Sequence, residues 1–249
     1  MPIVLKSRDE IAIMREAGRI NAEVLQMLVG CLRPGLVEKE LDEIVRKEFK
    51  NRSVVPAFLG YQGYPATVCV SINEEIVHGI PGDREIVDGD IVSIDLGCVH
   101  KGFVADSAVT VAVGNVSPEG RRLIGVTRES LNRGIEAARA GVRLGHIGAA
   151  IQACAKSEGF SVVREYVGHG VGRQMHEDPQ VPNYGNPDSG PVLKEGMVIA
   201  IEPMVNVGDW RTKRDSDNWT VQTLDGSLSA HFEHTIAIRD GEAEVLTLP

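Results

Sequence analysis

The apolar residues near the start of the chain follow helical spacing: Ile11, Met14, Ile20, Val24 and Met27. Ser7 and Glu10 precede this run as a capping-box pair, in which each residue's side chain bonds the other's backbone N–H. Gly30 and Pro34 follow it, and both residue types end helices. The pattern therefore predicts a helix that begins after Ser7 and ends near Gly30.

The same spacing predicts three more helices. One covers about residues 37–50, and a short one covers about residues 147–157. Between them, Ser117 is a typical N-cap with Pro118 at the first helical position, and that helix is predicted to run up to Gly141. The helix over residues 37–50 rests on the apolar positions Leu41, Ile44, Val45 and Phe49. The helix after Ser117 rests on Leu123, Val126, Leu131 and Ile135.

The chain carries an internal repeat. After each pair of helices come segments rich in β-branched residues and separated by Gly, Pro and Asp turns, which predict strands. Residues 89–95 match residues 196–202 at an offset of 107, and in both a glycine opens a strand that an acid closes. Arg33 and Gly35 recur as Arg143 and Gly145, at an offset of 110.

A repeat of this length is too long for a solenoid unit. We therefore predict an α+β fold in which two α/β halves, roughly 7–114 and 117–249, are related by an approximate two-fold axis. The halves share one core, so residues 1–249 form a single catalytic domain. A functional site is then expected between the halves.

Acidic residues occupy the predicted strands. A hairpin centred between His100 and Lys101 would set Asp95 directly opposite Asp106. Two facing carboxylates repel and aspartate is a poor strand residue, so the arrangement costs stability unless a cation neutralises it. For these two residues alone, a solvated hairpin face is the ordinary alternative.

The second half adds three candidate ligands. Glu202 ends the strand that matches the Asp95 strand, Glu233 lies in another alternating segment, and His169 lies in a loop whose glycines allow close backbone approach. A structural histidine is the alternative for His169 taken alone. Neighbours two positions from the acids are small or hydroxylated, and they leave space: Ser93, Ala108, Ala200 and Thr235.

Four oxygen donors and one imidazole exceed what one catalytic ion with an open position needs, and they suit two divalent ions that share carboxylates. The segment around His169 fails the dinucleotide-binding fingerprint, because Arg173 stands where the third glycine belongs. The sequence therefore predicts a dinuclear hydrolase site.

Composition narrows the location and the partners. The net charge of −9 opposes non-specific phosphate binding, so no specific nucleic-acid partner is expected. The N-terminus shows no signal-peptide pattern and no apolar run is long enough to cross a bilayer, which predicts a cytoplasmic protein without membrane contact. The four cysteines lie far apart and are predicted to be reduced.

Five blocks of sequence resemble those of the methionine aminopeptidases, a family of pita-bread metallopeptidases. They are residues 94–97 (IDLG), 105–108 (ADSA), 168–172 (GHGVG), 201–203 (IEP) and 233–235 (EHT). The 30 residues between Glu202 and Glu233 leave no room for the helical insertion of type II enzymes, and a zinc-finger extension is absent, so a bacterial-type type I form is expected.

The resemblance implies a pseudo-symmetric fold around a curved antiparallel sheet, and it implies the role of each ligand. Asp95 would bind one metal, His169 and Glu202 the other, and Asp106 and Glu233 both. A bridging water or hydroxide would attack the scissile carbonyl and release the initiator methionine, with a small second residue preferred. Cobalt, manganese, iron and zinc all suit such a site.

The resemblance also implies catalytic and substrate-binding residues. Glu202 would move the proton, while His78 and His176 would orient the peptide and stabilise the oxyanion and the leaving amide. The methionine pocket maps to Phe58, Tyr61, Tyr64, Cys69, Met175 and Trp219. For the aromatic members core packing is the alternative, and Phe58 and Met175 differ from the cysteine and phenylalanine frequent in bacterial relatives.

Nascent polypeptide N-termini are the implied substrates, and the implied state is a monomer. Transient ribosome contact is expected, with Arg211, Lys213 and Arg214 as the local basic cluster. Two rival functions remain open. An X-Pro peptidase of the same fold would keep similar metal ligands, although enzymes of that kind have longer chains. A non-enzymatic binding module of this fold would have lost metal ligands.

Overall fold

The computed structural model describes residues 2–249 as four helices wrapped on mostly antiparallel strands. The helices are Arg8–Cys31 (α1), Glu38–Asn51 (α2), Pro118–Ala137 (α3) and Gly145–Ser157 (α4), and Tyr61–Gly63 form one 3₁₀ turn. The strands are Val55–Pro56 (β1), Val68–Ile72 (β2), Glu75–Val77 (β3), Ile91–His100 (β4), Phe103–Ala112 (β5), Ser161–Val162 (β6), Gly168–Gly170 (β7), Glu177–Val181 (β8), Val198–Ile201 (β9), Met204–Asn206 (β10), Thr212–Arg214 (β11), Val221–Thr223 (β12), Ser229–His231 (β13), Glu233–Ala237 (β14) and Glu244–Val245 (β15).

All four predicted helices are confirmed. The capping box at α1 is complete, since Ser7 Oγ accepts from the Glu10 N–H at 3.2 Å and Glu10 Oε2 accepts from the Ser7 N–H at 3.0 Å. Ser117 Oγ caps α3 by accepting from the Gly120 N–H. The predicted end of α3 at Gly141 is wrong by four residues, because Gly141 donates its N–H to the Leu193 carbonyl instead of continuing the helix.

Nine strands form the main sheet, in the order β1-β4-β5-β14-β9-β7-β8, with β2 added beside β4 and β15 beside β14. Two three-stranded sheets flank it, β13-β10-β6 and β11-β12-β3. Alternate residues of β4 face α1, where Ile94 and Leu96 join its apolar side chains in one core cluster. The intervening residues Asp95 and Gly97 therefore face the opposite side of the sheet, away from α1.

A matching core cluster lies under the second half, where side chains of α3 and α4 pack on Ile199, Ile201 and Ile236. Strands β5 and β14 join the halves, with Ala108 opposite Glu233 and Ser107 opposite His234. The mixed helix and antiparallel-sheet architecture thus agrees with the predicted fold class.

One pair of glycines at matching positions of the predicted repeat can be compared in backbone geometry. Gly35 (φ +89°) and Gly141 (φ +88°) both donate their N–H across to the segment that precedes the next strand, to Ile86 O and Leu193 O. Gly35 therefore corresponds to Gly141, at an offset of 106, and the predicted match with Gly145 is wrong. Gly145 instead begins α4.

The predicted register of the β4–β5 hairpin is wrong by two residues. His100 pairs with Phe103, so the turn is centred on Lys101 and Gly102, whose φ angles of +50° and +78° are typical of a type I′ turn. Asp95 consequently lies opposite Ala108, and Asp106 lies opposite Gly97. Because the slip is two residues, both carboxylates stay on one face, diagonal to each other.

Two further positions differ from the expected strand ends. Asp95 does not close its strand, since β4 continues to His100, whereas Glu202 lies one residue beyond the end of β9. Each of the four cysteines is a free thiol. None of the helices described within residues 2–249 is long and apolar enough to span a membrane.

Candidate metal centre and substrate cavity

One cavity of about 610 Å³ opens on the sheet face opposite α1, and all five predicted metal ligands line it. Asp95 reaches it from β4, Asp106 from β5 and Glu233 from the first position of β14. His169 reaches it from β7 and Glu202 from the residue after β9. The structure therefore brings together, from both halves, every acid and the histidine that the sequence singled out.

The glycines around His169 are there for space. A Cβ on Gly168 would lie 2.4 Å from the Ala200 carbonyl oxygen, and one on Gly170 would lie 2.3 Å from the Asp178 carbonyl oxygen. His169 Nδ1 lies 3.0 Å from Gly170 O, so Nδ1–H donates to that carbonyl and Nε2 is left with its lone pair. This is the tautomer that a metal-binding histidine needs.

Ligand atoms converge around this Nε2. It lies 3.6 Å from Glu202 Oε1 and 3.9 Å from Asp106 Oδ2. Asp106, His169 and Glu233 each offer one ligand atom, and these three atoms lie within 4.8 Å of one another. Separations of this size are longer than hydrogen bonds and fit donors arranged around a common ion.

Burial makes it unfavourable for the acids of this cluster to carry their negative charges. Burial raises the pKa of Asp95 to about 7. Burial, followed by the charges of neighbouring acids, raises the pKa values of Asp106 and Glu233 well above their ordinary range. Burial, followed by the charge of Asp95, also raises the pKa of Glu202 well above its ordinary range. Burial lowers the pKa of His169 to about 3, which keeps its imidazole neutral.

Three buried carboxylate oxygens have no hydrogen-bond partner in the described chain: Asp95 Oδ1, Asp106 Oδ1 and Glu233 Oε1. Leaving such atoms unpaired is costly in a folded protein. An oxygen-rich donor set with one imidazole satisfies them if divalent cations are bound. The residues present therefore fit a metal centre.

His78 reaches the same cavity on a constrained backbone. Its φ of +62° is in the left-handed region, which non-glycine residues seldom occupy outside sites that need it. The next residue, Gly79, is clamped on β2, where a Cβ would lie 2.0 Å from the Val70 carbonyl oxygen. Burial, then the nearby His176, lowers the pKa of His78 to about 4, so its imidazole is neutral.

His176 lies beside His169. Its ring centroid is 4.2 Å from that of His169, and its Nδ1 lies 2.7 Å from the Tyr61 hydroxyl. Burial lowers the pKa of His176. If the Tyr61 hydroxyl donates to Nδ1, the neutral ring carries its proton on Nε2.

All six predicted pocket residues line the cavity. Trp219 packs edge-on against Tyr64 at a centroid distance of 5.1 Å, and Phe58 meets Tyr64 at 6.5 Å. Gly97 makes room for this group, because a Cβ there would lie 2.7 Å from Phe58 Cε1 and 3.2 Å from Met175 Cε. The result is an apolar, aromatic wall beside the carboxylates.

Sequence reasoning missed several neighbours of the site. Gln62, Tyr166, Arg214 and Asn218 also line the cavity, and Arg214 was considered only as a basic surface residue. His231, whose Nε2 lies 3.8 Å from Glu202 Oε2, received no role. Its position two residues before Glu233 was the available signal.

Comparison with known proteins agrees with this geometry. The model of metallopeptidase family M24 matches residues 12–240. Methionine aminopeptidase 1 of Bacillus subtilis (strain 168) is 53% identical over 245 residues, which cover 98% of this chain and 99% of that protein. The crystal structure of methionine aminopeptidase from Thermotoga maritima superposes with a TM-score of 0.98 at 47% identity, and each chain is fully covered.

The chain belongs to metallopeptidase family M24, a family of hydrolases. The relatives that match it over nearly their whole length are methionine aminopeptidases, which confirms the resemblance found in the five sequence blocks and the pita-bread fold. Prolidase from Pyrococcus furiosus also shares the fold, with a TM-score of 0.81 at 26% identity. This chain covers 66% of that longer prolidase.

Proposed function

We propose that the protein removes the N-terminal methionine from polypeptides whose second residue is small, and that it uses two divalent metal ions to do so. The observation that carries this proposal is that one cavity combines the buried acid and histidine cluster with the aromatic wall. The full-length similarity to methionine aminopeptidases supports the choice of substrate.

In this proposal Asp95 would hold one ion, His169 and Glu202 would hold the other, and Asp106 and Glu233 would contribute to both. The central position of Asp106 and Glu233, whose ligand atoms lie within 4.8 Å of each other and of one from His169, supports their shared role. Divalent cations at such a site supply Lewis-acid chemistry, which lowers the pKa of water and polarises a carbonyl. Cobalt, manganese, iron and zinc all suit the donor set.

The protein's own residues then handle protons and orientation. Glu202 accepts the proton of the attacking water and delivers it to the leaving amide nitrogen. His78 and His176 are neutral, so each can donate a ring N–H to the substrate without a charge penalty. Their N–H groups orient the scissile peptide and stabilise the oxyanion that develops on its carbonyl.

The aromatic wall receives the methionine side chain. A thioether is flexible and polarisable, and it makes favourable contacts at the edges of aromatic rings. Phe58, Tyr64 and Trp219 supply such edges, while Cys69 and Met175 complete the apolar surface. The free α-amino group then lies beside the carboxylates, which limits cleavage to the first residue.

Nascent chains are the expected substrates in the cell. Cytoplasmic location, a monomeric state and transient docking on the ribosome through Arg211, Lys213 and Arg214 stay predictions.

The test is release of free methionine from the tripeptide Met-Ala-Ser by protein stripped of metal and reloaded with manganese, iron, cobalt or zinc. Ala-Pro serves as the control substrate, and Asp106→Asn as the variant that removes a shared ligand while preserving side-chain shape. Melting temperatures of both proteins without metal show that the variant is folded.

Metal-dependent cleavage of Met-Ala-Ser, lost in Asp106→Asn, is the expected result. Cleavage of Ala-Pro instead would replace the proposal by an X-Pro peptidase. If no metal restores cleavage and none raises the melting temperature, the protein is a binding module, since ligands that bind only the folded state must stabilise it.

A further inference from the structure

His231 is a buried histidine held rigidly beside the acid cluster. It ends β13, two residues before Glu233, and 1% of its surface is exposed. Its N–H donates to Thr110 Oγ1 at 2.8 Å, and the Thr110 hydroxyl donates to the His231 carbonyl at 2.8 Å. Ser93 Oγ, 2.8 Å from Thr110 Oγ1, supplies the hydrogen bond that Thr110 can still accept. The backbone of His231 is therefore fixed from two sides.

The ring nitrogen that faces the site has no hydrogen-bond partner among the described residues. This atom, Nε2, is shielded from solvent and lies 3.8 Å from Glu202 Oε2 and 4.0 Å from Glu233 Oε2. A buried polar atom without a hydrogen-bond partner costs free energy, so a function is expected for a ring nitrogen that faces two carboxylates.

The two oxygens of Glu202 face two different histidines. Oε1 lies 3.6 Å from His169 Nε2, on the side of the other metal ligands, whereas Oε2 lies 3.8 Å from His231 Nε2. One oxygen is thus available to an ion, and the other is directed at a ring nitrogen that has no other partner. A hydrogen bond from His231 to Oε2 would hold the plane of the carboxylate.

His231 lies outside the compact ligand group. Within residues 2–249, the side chains whose ligand atoms lie within 4.8 Å of one another are Asp106, His169 and Glu233, and His231, like Asp95 and Glu202, is not among them. A hydrogen bond from a ring N–H of His231 to Glu202 Oε2 needs the two atoms, now 3.8 Å apart, to approach to about 2.9 Å. A rotation of the Glu202 side chain would supply that approach.

We infer that His231 is a positioning residue, which donates its Nε2–H to Glu202 Oε2 and so keeps Glu202 Oε1 directed at the metal ion that Glu202 would hold and at the proton of the attacking water. The inference deepens the proposed function and rests on it. Partners that orient metal-binding side chains typically contribute 10–100-fold to metal affinity or activity, which sets the scale of the expected effect.

The experiment compares two substitutions with a matched control. His231→Gln keeps an N–H donor of similar reach, and His231→Leu removes the donor but keeps the volume. His234→Gln is the control, because His234 is a half-buried histidine on the other face of β14 whose Nδ1 bonds Thr247 Oγ1 outside the cavity. Manganese affinity is measured by calorimetry, kcat and KM with Met-Ala-Ser, and cobalt coordination by the visible spectrum.

His231→Leu is expected to lower kcat about 10–100-fold with KM within about twofold, and to weaken manganese binding. His231→Gln should retain kcat within about threefold, which a merely space-filling role would not predict. The cobalt spectrum should be the same in all variants, and His234→Gln should keep wild-type kcat while its melting temperature falls.

Wild-type kcat and metal affinity in His231→Leu would overturn the inference. So would an equal loss of metal affinity in both substitutions together with a changed cobalt spectrum, since His231 would then be a metal ligand. If the wild-type protein releases no methionine, the proposed function fails, while calorimetry still tests the His231–Glu202 contact: affinity that falls in His231→Leu and not in His231→Gln supports it.

Discussion

Lys6 Nζ lies 2.7 Å from Glu177 Oε2, and both side chains are largely buried. The pair ties the segment before α1 to the residue that follows His176. Glu177 Oε1 also accepts from the Gln174 N–H, so the carboxylate braces the loop that carries Met175 and His176. A residue near the N-terminus therefore holds part of the substrate cavity in place.

Lys6→Met is expected to destabilise the protein by about 3 kcal/mol, because it leaves the Glu177 charge buried without its partner. Urea unfolding measures this loss. Lys6→Met combined with Glu177→Gln should recover part of it. Arg133→Met, which breaks exposed ion pairs on α3, should leave the unfolding midpoint unchanged. Equal losses in Lys6→Met and Arg133→Met would contradict the structural role of the buried pair.

Asp95→Asn should reveal the electrostatic strain of the cluster. The pKa of Asp95 in the folded protein, about 7, lies above its ordinary value of 3.8, so the metal-free protein loses stability as pH rises between these values. Without metal, Asp95→Asn should melt at the same temperature as wild type near pH 4 and at a higher temperature above pH 7. With manganese at pH 7.5 the order should reverse, because the variant lacks a ligand. A pH-independent difference would rule out this account.

Trp219→Ala is expected to raise KM for methionyl peptides about tenfold while manganese affinity stays unchanged. Trp219 packs on Tyr64 and lies 6.4 Å from His78 in centroid distance, and it is not one of the residues proposed to hold the metal ions. Steady-state kinetics and calorimetry separate the two effects. Trp210→Ala is the matched control, since Trp210 stacks on Arg164 and does not line the cavity. Unchanged kinetics in Trp219→Ala would remove Trp219 from the substrate pocket.

Tyr61→Phe should lower kcat about threefold to tenfold, because His176 loses the 2.7 Å hydrogen bond that fixes its ring and tautomer, a loss of about 1 kcal/mol. KM should change little, since the aromatic ring remains. The kcat is measured as a function of pH in the wild type and in Tyr61→Phe, with Tyr184→Phe as a control variant outside the cavity. A change confined to KM would mean that Tyr61 contacts the substrate instead of positioning His176.

Local pattern was enough to predict the helices and to single out the acids and the histidine that line the cavity. Capping residues and apolar spacing located α1 and α3 because these signals act within a few residues of the chain. The hairpin register was missed, although the sequence held its cue: Gly102 is the second residue of a type I′ turn, where φ must be positive. The error left the site prediction intact, because side chains alternate with a period of two.

His231 needed information from distant parts of the chain. It belongs to β13 in a three-stranded sheet, whereas Glu233 begins β14 in the main sheet, so the chain changes sheets at Phe232. A reading of residues 230–236 as one alternating strand misses this change. Likewise, α3 ends early because residues 141–144 pair with residues 190–193, a contact that α3 itself does not encode.

The contact between β5 and β14 connects the proposed metal site to the way in which the two halves are held together. Thr235 Oγ1 accepts from the Asp106 N–H at 3.1 Å and donates to the Asp106 carbonyl at 2.8 Å. Because Thr235 lies two residues after Glu233, these bonds connect the strands of the two acids proposed to share both ions, at the place where the halves meet. Neither half alone holds a full set of ligands. Cations bound there would hold the two halves together, and their removal by a chelator would weaken the contact between β5 and β14 before it destabilised either core cluster. Faster amide hydrogen exchange along β5 and β14 than in α1 or α3 would be its first sign.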